Sequence, residues 1–301
     1  MSSPHGIPPE LAERLSAAGL DPDAIAALVR SAVEEDLAGG VDVTSAATVP
    51  ADQVAVGDFT ARDDGVVAGL LVAEAVVEVV CGGAAQVVAP VSDGARVRAG
   101  DVLLTVTAPT RALLTAERTA LNLLCHLSGV ATLTARWADA IAGTGAAVRD
   151  TRKTTPGLRA LEKYAVRCGG GVNHRMALSD AALVKDNHVV AAGGVREAFD
   201  AVRAMWPGLE VEVEVDSLGQ LDAVLDAGAD LVLLDNFDVA QTREAVARTA
   251  GRARLESSGG LSLGVARAYA ETGVDYLAVG ALTHSAPVLD IGLDLRPLGS
   301  I

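Results

Sequence analysis

Lysine is almost missing from this chain. Of 24 basic residues only Lys153, Lys163 and Lys185 are lysines, and arginine supplies positive charge everywhere else. Keeping lysine at these three places points to a need for a compact ammonium, not for charge alone. Cysteine is equally scarce. Cys81, Cys125 and Cys168 are scattered without C-x-x-C spacing, which argues against a disulfide framework or a zinc cage and fits a reducing cytoplasm. Long apolar runs are lacking too: the most apolar stretch, Val66 to Cys81, is broken by Glu74 and Glu78. A membrane helix needs about 20 apolar residues, so no membrane partner is expected. The opening MSSPHGIPPE has neither the basic region nor the apolar block of a secretory signal, and a cytoplasmic location is expected.

Positive charge is in deficit overall. The formal charge is −15, which excludes the broad basic surface that nucleic acid or anionic lipid requires. Its distribution is uneven. Between Arg149 and Lys185 lie eight Lys/Arg and three Asp/Glu, a local +5 that leaves −20 on the remainder. All three lysines fall inside this island. A concentrated positive island in an acidic protein suggests a pocket for a small, highly charged anion; the plainer alternative is a salt-bridged helix.

With 301 residues, half of them hydrophobic, the chain has material for one large domain or two ordinary ones. From about Val148 onward it alternates short apolar strands with helical stretches. Strands are expected at Ala146–Asp150, Ala182–Asp186, Leu209–Val215, Asp230–Asp235, Ala253–Ser257 and Tyr276–Val279. Helices are expected at Val195–Trp206, Leu218–Ala227, Val239–Ala250 and Leu261–Thr272. Such alternation implies a parallel sheet, open or closed into a barrel. No G-x-G-x-x-G follows the first of these strands, which excludes a dinucleotide-binding unit there.

The segment LEVEVEVD favours the barrel. Glu210, Glu212 and Glu214 share one face and Val211, Val213 and Val215 the other, whereas a doubly wound sheet prefers strands that are apolar on both faces. Barrel chemistry sits at the C-terminal ends of the strands. Those ends here are polar or glycine-rich: Asp150–Lys153, Lys185–His188, Glu214–Asp216, Asp235–Asn236, Glu256–Gly260 and Gly280–Ala281.

The first 130 residues read as a separate α+β domain, with strands at Ala51–Ala61, Gln86–Ala89 and Val102–Val106 and helices at Asp23–Asp36 and Leu70–Val80. VSDGARVRAGDVLLT (91–105) has the turn pattern of biotinyl- and lipoyl-like hairpins. Such carriers present a lysine, and none precedes Lys153, so the hairpin is read as structural. Arg118, Asn122 and His126 form a polar stripe at helical spacing.

The turns ESSGG and VGALTHS close successive strands and suit phosphate, since backbone N–H groups bind anions where glycine permits close approach. Lys153 and Lys185 face the same rim. Phosphate binding, a Schiff base and simple pairing with a carboxylate all remain open on spacing alone. Glu214 and Asp235 beside a phosphate cradle suit Mg²⁺ or ribose hydroxyls, and Glu212, one pleat deeper, is expected to pair with a basic residue inside.

DTRKTTPGLRALEKYAVRCGGGVNHR (150–175), LVKDNH (183–188), EVEVDS (212–217), LLDNF (233–237), ESSGG (256–260) and VGALTHS (279–285) together resemble the quinolinate phosphoribosyltransferases. These enzymes are also called carboxylating nicotinate-nucleotide pyrophosphorylases. EEDLAGGVDVTS (34–45) and ERTALNLLCHLSG (117–129) extend the resemblance over the whole chain; Ala177 departs from the family's usual glycine.

The resemblance implies an N-terminal α/β sandwich domain (1–130), an incomplete six-stranded α/β barrel (131–282) and a tail (283–301) packing back on the first domain. It implies transfer of the phosphoribosyl group of phosphoribosyl pyrophosphate to quinolinate with loss of CO₂, dependent on Mg²⁺. Lys153, Lys185, Glu214 and Asp235 would be catalytic. Thr151 would line the substrate site, with Arg152, His174 and Arg175 on the quinolinate carboxylates. Lys153 and Lys185 would reach both substrates, and Glu214 and Asp235 would stand near ribose and Mg²⁺. Ser258, Gly259, Gly260, Val279, Gly280 and Ala281 would hold the 5′-phosphate. A homodimer is implied, with Arg118 contributed across its interface. The alternatives are a paralogue acting on nicotinate or linked to molybdenum uptake, a Schiff-base aldolase, and a non-catalytic carrier.

Overall fold

The computed structural model describes residues 6–297. They divide into two compact units: 6–133 with 160–169 and 286–297, and 134–159 with 170–285.

The first unit holds strands β1 (Val54–Ala61), β2 (Gly65–Val66), β3 (Gln86–Val88), β4 (Arg96–Val97), β5 (Val102–Pro109) and, far along the chain, β12 (Ile291–Pro297). An antiparallel sheet runs in the order β12-β1-β5-β3, with Ala61 opposite Ile291 and Ala55 opposite Pro297. Phe59, Leu103, Leu104 and Val106 bury its apolar side chains. The helix Pro22–Leu37 starts where Asp21 accepts a bond from the Asp23 N–H and Pro22 presets the first turn. The helix Leu70–Cys81 is apolar nearly all round and correspondingly buried. In the carrier-like hairpin, β4 pairs with β2.

The second unit holds β6 (Ala147–Arg149), β7 (Ala182–Val184), β8 (Val211–Val215), β9 (Leu231–Asp235), β10 (Arg254–Ser258) and β11 (Tyr276–Ala278). All pair in parallel, in the order β6-β11-β10-β9-β8-β7. That is cyclic sequence order interrupted once, between β6 and β7: an incomplete six-stranded barrel. The helices Val195–Met205, Leu218–Asp226, Val239–Thr249 and Leu263–Ala270 connect the strands. Asp238 caps the third of them, accepting from the Gln241 N–H while its own N–H donates to the Gln241 side chain. Val211, Val213 and Val215 are buried on one face of β8, each worth about 1.5–3 kcal/mol of transfer from water. Glu212 and Glu214 take the other face, toward the lumen.

The sequence reading differs from this in its boundaries. Ala160–Gly169, expected within the barrel, belongs to the first unit. The helix Arg159–Cys168 buries Leu161, Glu162, Lys163, Tyr164, Ala165 and Val166. Within that unit the Tyr164 hydroxyl donates to Asp93 and Glu162 lies 2.9 Å from His126. The polar stripe on the helix Thr110–Ala140 is therefore not wholly a solvated face, since His126 pairs with a buried glutamate.

Candidate active site

Alternation along each barrel strand stacks the lumen side chains in two layers. The upper layer, at the strand ends, presents Thr151, Lys185, Glu214, Asp235 and Ser258. One pleat below lie Arg149, Leu183, Glu212, Leu233, Glu256 and Ala278. The register aligns Leu233 with both Glu214 and Glu256, and Asp235 with Ser258.

A cavity of about 360 Å³ opens on the upper layer. It brings together Thr151, Arg152, Lys153, His174, Arg175, Lys185, Glu214, Asp235 and Ser258 from the sequence-derived set, over a floor of Leu183, Leu233, Glu256 and Ala278. Gly259 and Gly260 continue from Ser258, while Val279, Gly280 and Ala281 follow Ala278 at the neighbouring strand end. Arg118 lies in the other unit, exposed on the helix Thr110–Ala140.

The rim is electrostatically divided. Arg152 and Arg175 each carry an Nε that is buried without a hydrogen-bond partner. Burial first, and the charge of Arg152 next, pull the Arg175 guanidinium below its usual pKa. Such a pair suits an anion with two carboxylates, which planar guanidinium forks match. Across the rim, Lys185 Nζ is 3.5 Å from Glu214 Oε2. Burial, opposed by Lys185 and reinforced by Asp235, raises the Glu214 carboxyl; burial and Asp186 raise Asp235. Two carboxylates that crowd one another are the donor set Mg²⁺ takes when substrate phosphates complete its shell.

The glycine turn after β10 is sterically fixed. Gly259 has φ +91°, and a Cβ there would stand 2.1 Å from Asn236 Oδ1. Asn236 itself is left-handed, donates its N–H to Ser258 O and its side-chain amide to Asp235. It thereby locks the carboxylate to the glycine turn. Ala177, where the family usually has glycine, keeps an ordinary φ, and Asp180 accepts from the N–H groups of Met176 and Ala177. The turn therefore has no need of glycine.

Beneath the rim is a charge network of which the sequence reading anticipated only the pairing of Glu212. Arg149 Nη1 is 2.7 Å from Glu256 Oε2 and 3.7 Å from Glu212 Oε1, and its guanidinium stacks on Tyr276 at 4.8 Å. Glu212, His174 and Glu256 bring donor atoms within 4.8 Å of one another. Arg149 already supplies the cation there, so the cluster is a poor metal site. The remaining signal in the sequence is Glu256, which period-two alternation puts on the lumen face with Ser258 although ESSGG by itself suggests only a phosphate turn.

Residues 42–128 and 130–294 match the models of the N-terminal and C-terminal domains of quinolinate phosphoribosyl transferase. The chain is 60% identical over 277 residues to the carboxylating nicotinate-nucleotide pyrophosphorylase of Mycobacterium leprae, covering 91% of this chain and 98% of that protein. It is 42% identical over 204 residues to a probable enzyme of the same name from Bacillus subtilis, covering 67% of this chain and 71% of that protein. The solved structure of NadC from Streptococcus pyogenes superposes with a TM-score of 0.89 at 40% identity, covering 93% of this chain and 99% of that one.

Proposed function

The chain belongs to the quinolinate phosphoribosyltransferase family, and from that membership we infer that it makes nicotinate mononucleotide from quinolinate and phosphoribosyl pyrophosphate, releasing pyrophosphate and CO₂. The observation that carries the choice of acceptor is the pair of buried, unpartnered Nε–H groups of Arg152 and Arg175 in one cavity. An acceptor with adjacent carboxylates answers both.

In this reading the C1–O bond to pyrophosphate breaks as the pyridine nitrogen bonds to C1, and positive charge grows on the ribose. Glu214 and Asp235 offset that charge, while Lys153 and Lys185 take up charge on the leaving pyrophosphate. Mg²⁺ held through Glu214 and Asp235 would supply further neutralisation of the phosphates. The turns Ser258–Gly260 and Val279–Ala281 hold the 5′-phosphate; in the second turn Gly280 and Ala281 offer the backbone N–H groups, because the Val279 N–H donates to Arg149 O. The C2–carboxylate bond then breaks, leaving its electron pair at C2 beside a cationic ring nitrogen, and a proton replaces CO₂. This second step needs orientation and loss of water around the carboxylate, which Leu183, Leu233 and Ala278 on the cavity floor favour beside the buried Glu256.

We also assign a homodimer with Arg118 reaching the partner's pocket, and a cytoplasmic location; among the described residues no helix is long and apolar enough to cross a membrane. The deciding experiment supplies quinolinate labelled in its 2-carboxylate with phosphoribosyl pyrophosphate and Mg²⁺. Labelled CO₂ should appear in step with nicotinate mononucleotide. Turnover of nicotinate without turnover of quinolinate would overturn the acceptor.

A further inference from the structure

Among the described residues, three that are not glycine have a positive φ: Ala38, Asn236 and Ala250. Two have an ordinary cause, since Ala38 and Ala250 end helices in the left-handed cap conformation. Asn236, at φ +57°, ends no helix. It follows β9 directly, at the barrel rim, next to Asp235. A left-handed residue in such a place persists only where its surroundings fix it, and asparagine tolerates it better than most.

The surroundings do fix it. The Asn236 N–H donates to Ser258 O at 2.9 Å, extending the pairing of β9 with β10 by one bond. Phe237 is buried, and its carbonyl accepts from the Tyr269 hydroxyl at 3.0 Å. Asp238 caps the helix that follows. From this held backbone the Asn236 side chain makes two contacts. Its amide Nδ2 donates to Asp235 Oδ2 at 2.8 Å. Its Oδ1 fills the space where a Cβ on Gly259 would stand, 2.1 Å from that position. Neighbouring side chains of an extended strand point to opposite faces. The left-handed backbone at Asn236 is what brings its amide round to the carboxylate beside it. Asn236 does not line the substrate cavity, whereas Asp235 does.

We infer that Asn236 is a positioning residue for phosphoribosyl transfer: its amide occupies Oδ2 of Asp235, leaves Oδ1 for the sugar, and keys that carboxylate to the phosphate turn at Gly259. This rests on the reading above, in which Asp235 offsets the positive charge that grows on the ribose. Asn236 touches no reacting atom, and its effect on the reaction passes through the aim of Asp235.

Three variants separate the amide from the backbone turn. Asn236→Gly keeps the left-handed turn and removes the amide. Asn236→Asp keeps the shape and sets a second carboxylate against Asp235. Asn236→Ala removes the amide and strains the turn. Asn236→Gly should lower kcat by about tenfold or more and keep KM for quinolinate within about threefold of wild type. Its melting temperature should stay near that of wild type, and only Asn236→Ala should melt clearly earlier. Asn236→Asp should lose at least as much kcat as Asn236→Gly. Should Asn236→Gly fold poorly, Asn236→Asp decides by the same split between kcat and KM.

The link to the phosphate turn is read by a double-mutant cycle. Gly259→Ala drives a methyl group against Asn236 Oδ1, so it should cost less kcat in the Asn236→Gly background than in wild type. Wild-type kcat in Asn236→Gly would overturn the inference, as would additive losses in the cycle. A crystal structure of free Asn236→Gly reads the aim of Asp235 without substrate: the carboxylate should turn from its wild-type position, and an unmoved Asp235 would also overturn the inference. Failure of the underlying reading would show differently, because wild type itself would then not turn over quinolinate.

Discussion

Arg149 stands between two buried carboxylates, 2.7 Å from Glu256 and 3.7 Å from Glu212, so one guanidinium serves two acids. Burial is the main cause that pushes each acid up, to about 7, from a usual value of 4.5. The sign follows by linkage. Between those two values the folded state binds more protons than the unfolded chain, so stability is lost as pH rises through the window. The melting temperature should therefore fall between about pH 5 and about pH 8, and Glu256→Gln, with one titrating group fewer, should show a shallower fall. Differential scanning fluorimetry across that range is the measurement, and identical slopes for the two proteins would contradict the account.

Arg152 and Arg175 predict how the pocket responds to its acceptor. Each presents an unpartnered Nε, and they repel each other. A charge-assisted bond contributes about 1.5–3 kcal/mol, so Arg152→Ala and Arg175→Ala should each raise KM for quinolinate by roughly 10- to 150-fold. Arg152→Ala should lower the melting temperature of the free protein little, because it removes a like-charge contact, whereas Arg175→Ala also loses the bond from Nη1 to Ala181 O. Quinolinate at about 100 times its Kd stabilises wild type by about 2.7 kcal/mol. That thermal shift should shrink sharply in both variants at the same concentration.

The three lysines divide by environment. Lys153 and Lys185 are exposed at the barrel rim, whereas Lys163 is fully buried on a helix of the first unit. Lys153→Ala and Lys185→Ala should each cost on the order of 10²-fold in kcat with little change in melting temperature. Lys163→Ala should do the reverse, losing stability through an emptied buried site while the folded fraction keeps its activity. Circular-dichroism melts beside active-site-normalised kinetics separate the two kinds of loss. A loss of activity in all three without a stability difference would mean that burial does not govern their roles.

What could be read from the sequence tracks the range of the interaction. Period-two alternation made Glu212 and Glu214 legible as lumen residues, and strand ends made Lys185, Asp235 and Ser258 legible as rim residues, because both signals are local. Arg149 and Glu256 are 107 residues apart, and nothing near either announces the other. The tie from Asp150 to Asn173 and His174 is equally silent, since it depends on an unclosed barrel wall that the strand count alone does not reveal. The helix Arg159–Cys168 interrupts the barrel sequence yet packs in the first unit, which only tertiary contacts such as Tyr164 to Asp93 decide. Recognised motifs supplied the substrate; geometry supplied the tie from Asp235 through Asn236 to the glycine turn.

Arg118 makes the last prediction, and it tests the proposed dimer without a structure of one. The residue is exposed in the unit that does not contain the cavity lined by Lys153. If each protomer lends Arg118 to its partner's pocket, Arg118→Ala and Lys153→Ala homodimers each have two broken sites. A mixed dimer gathers both defects in one pocket and leaves the other whole. Under two-fold symmetry, random equal assembly gives about half mixed dimers with one good site of two, so roughly a quarter of wild-type activity should return. Co-expression with two affinity tags allows the mixed dimer to be purified, where the recovered fraction should rise to about half. Verified mixed dimers with no more activity than either parent would place Arg118 outside the partner's site.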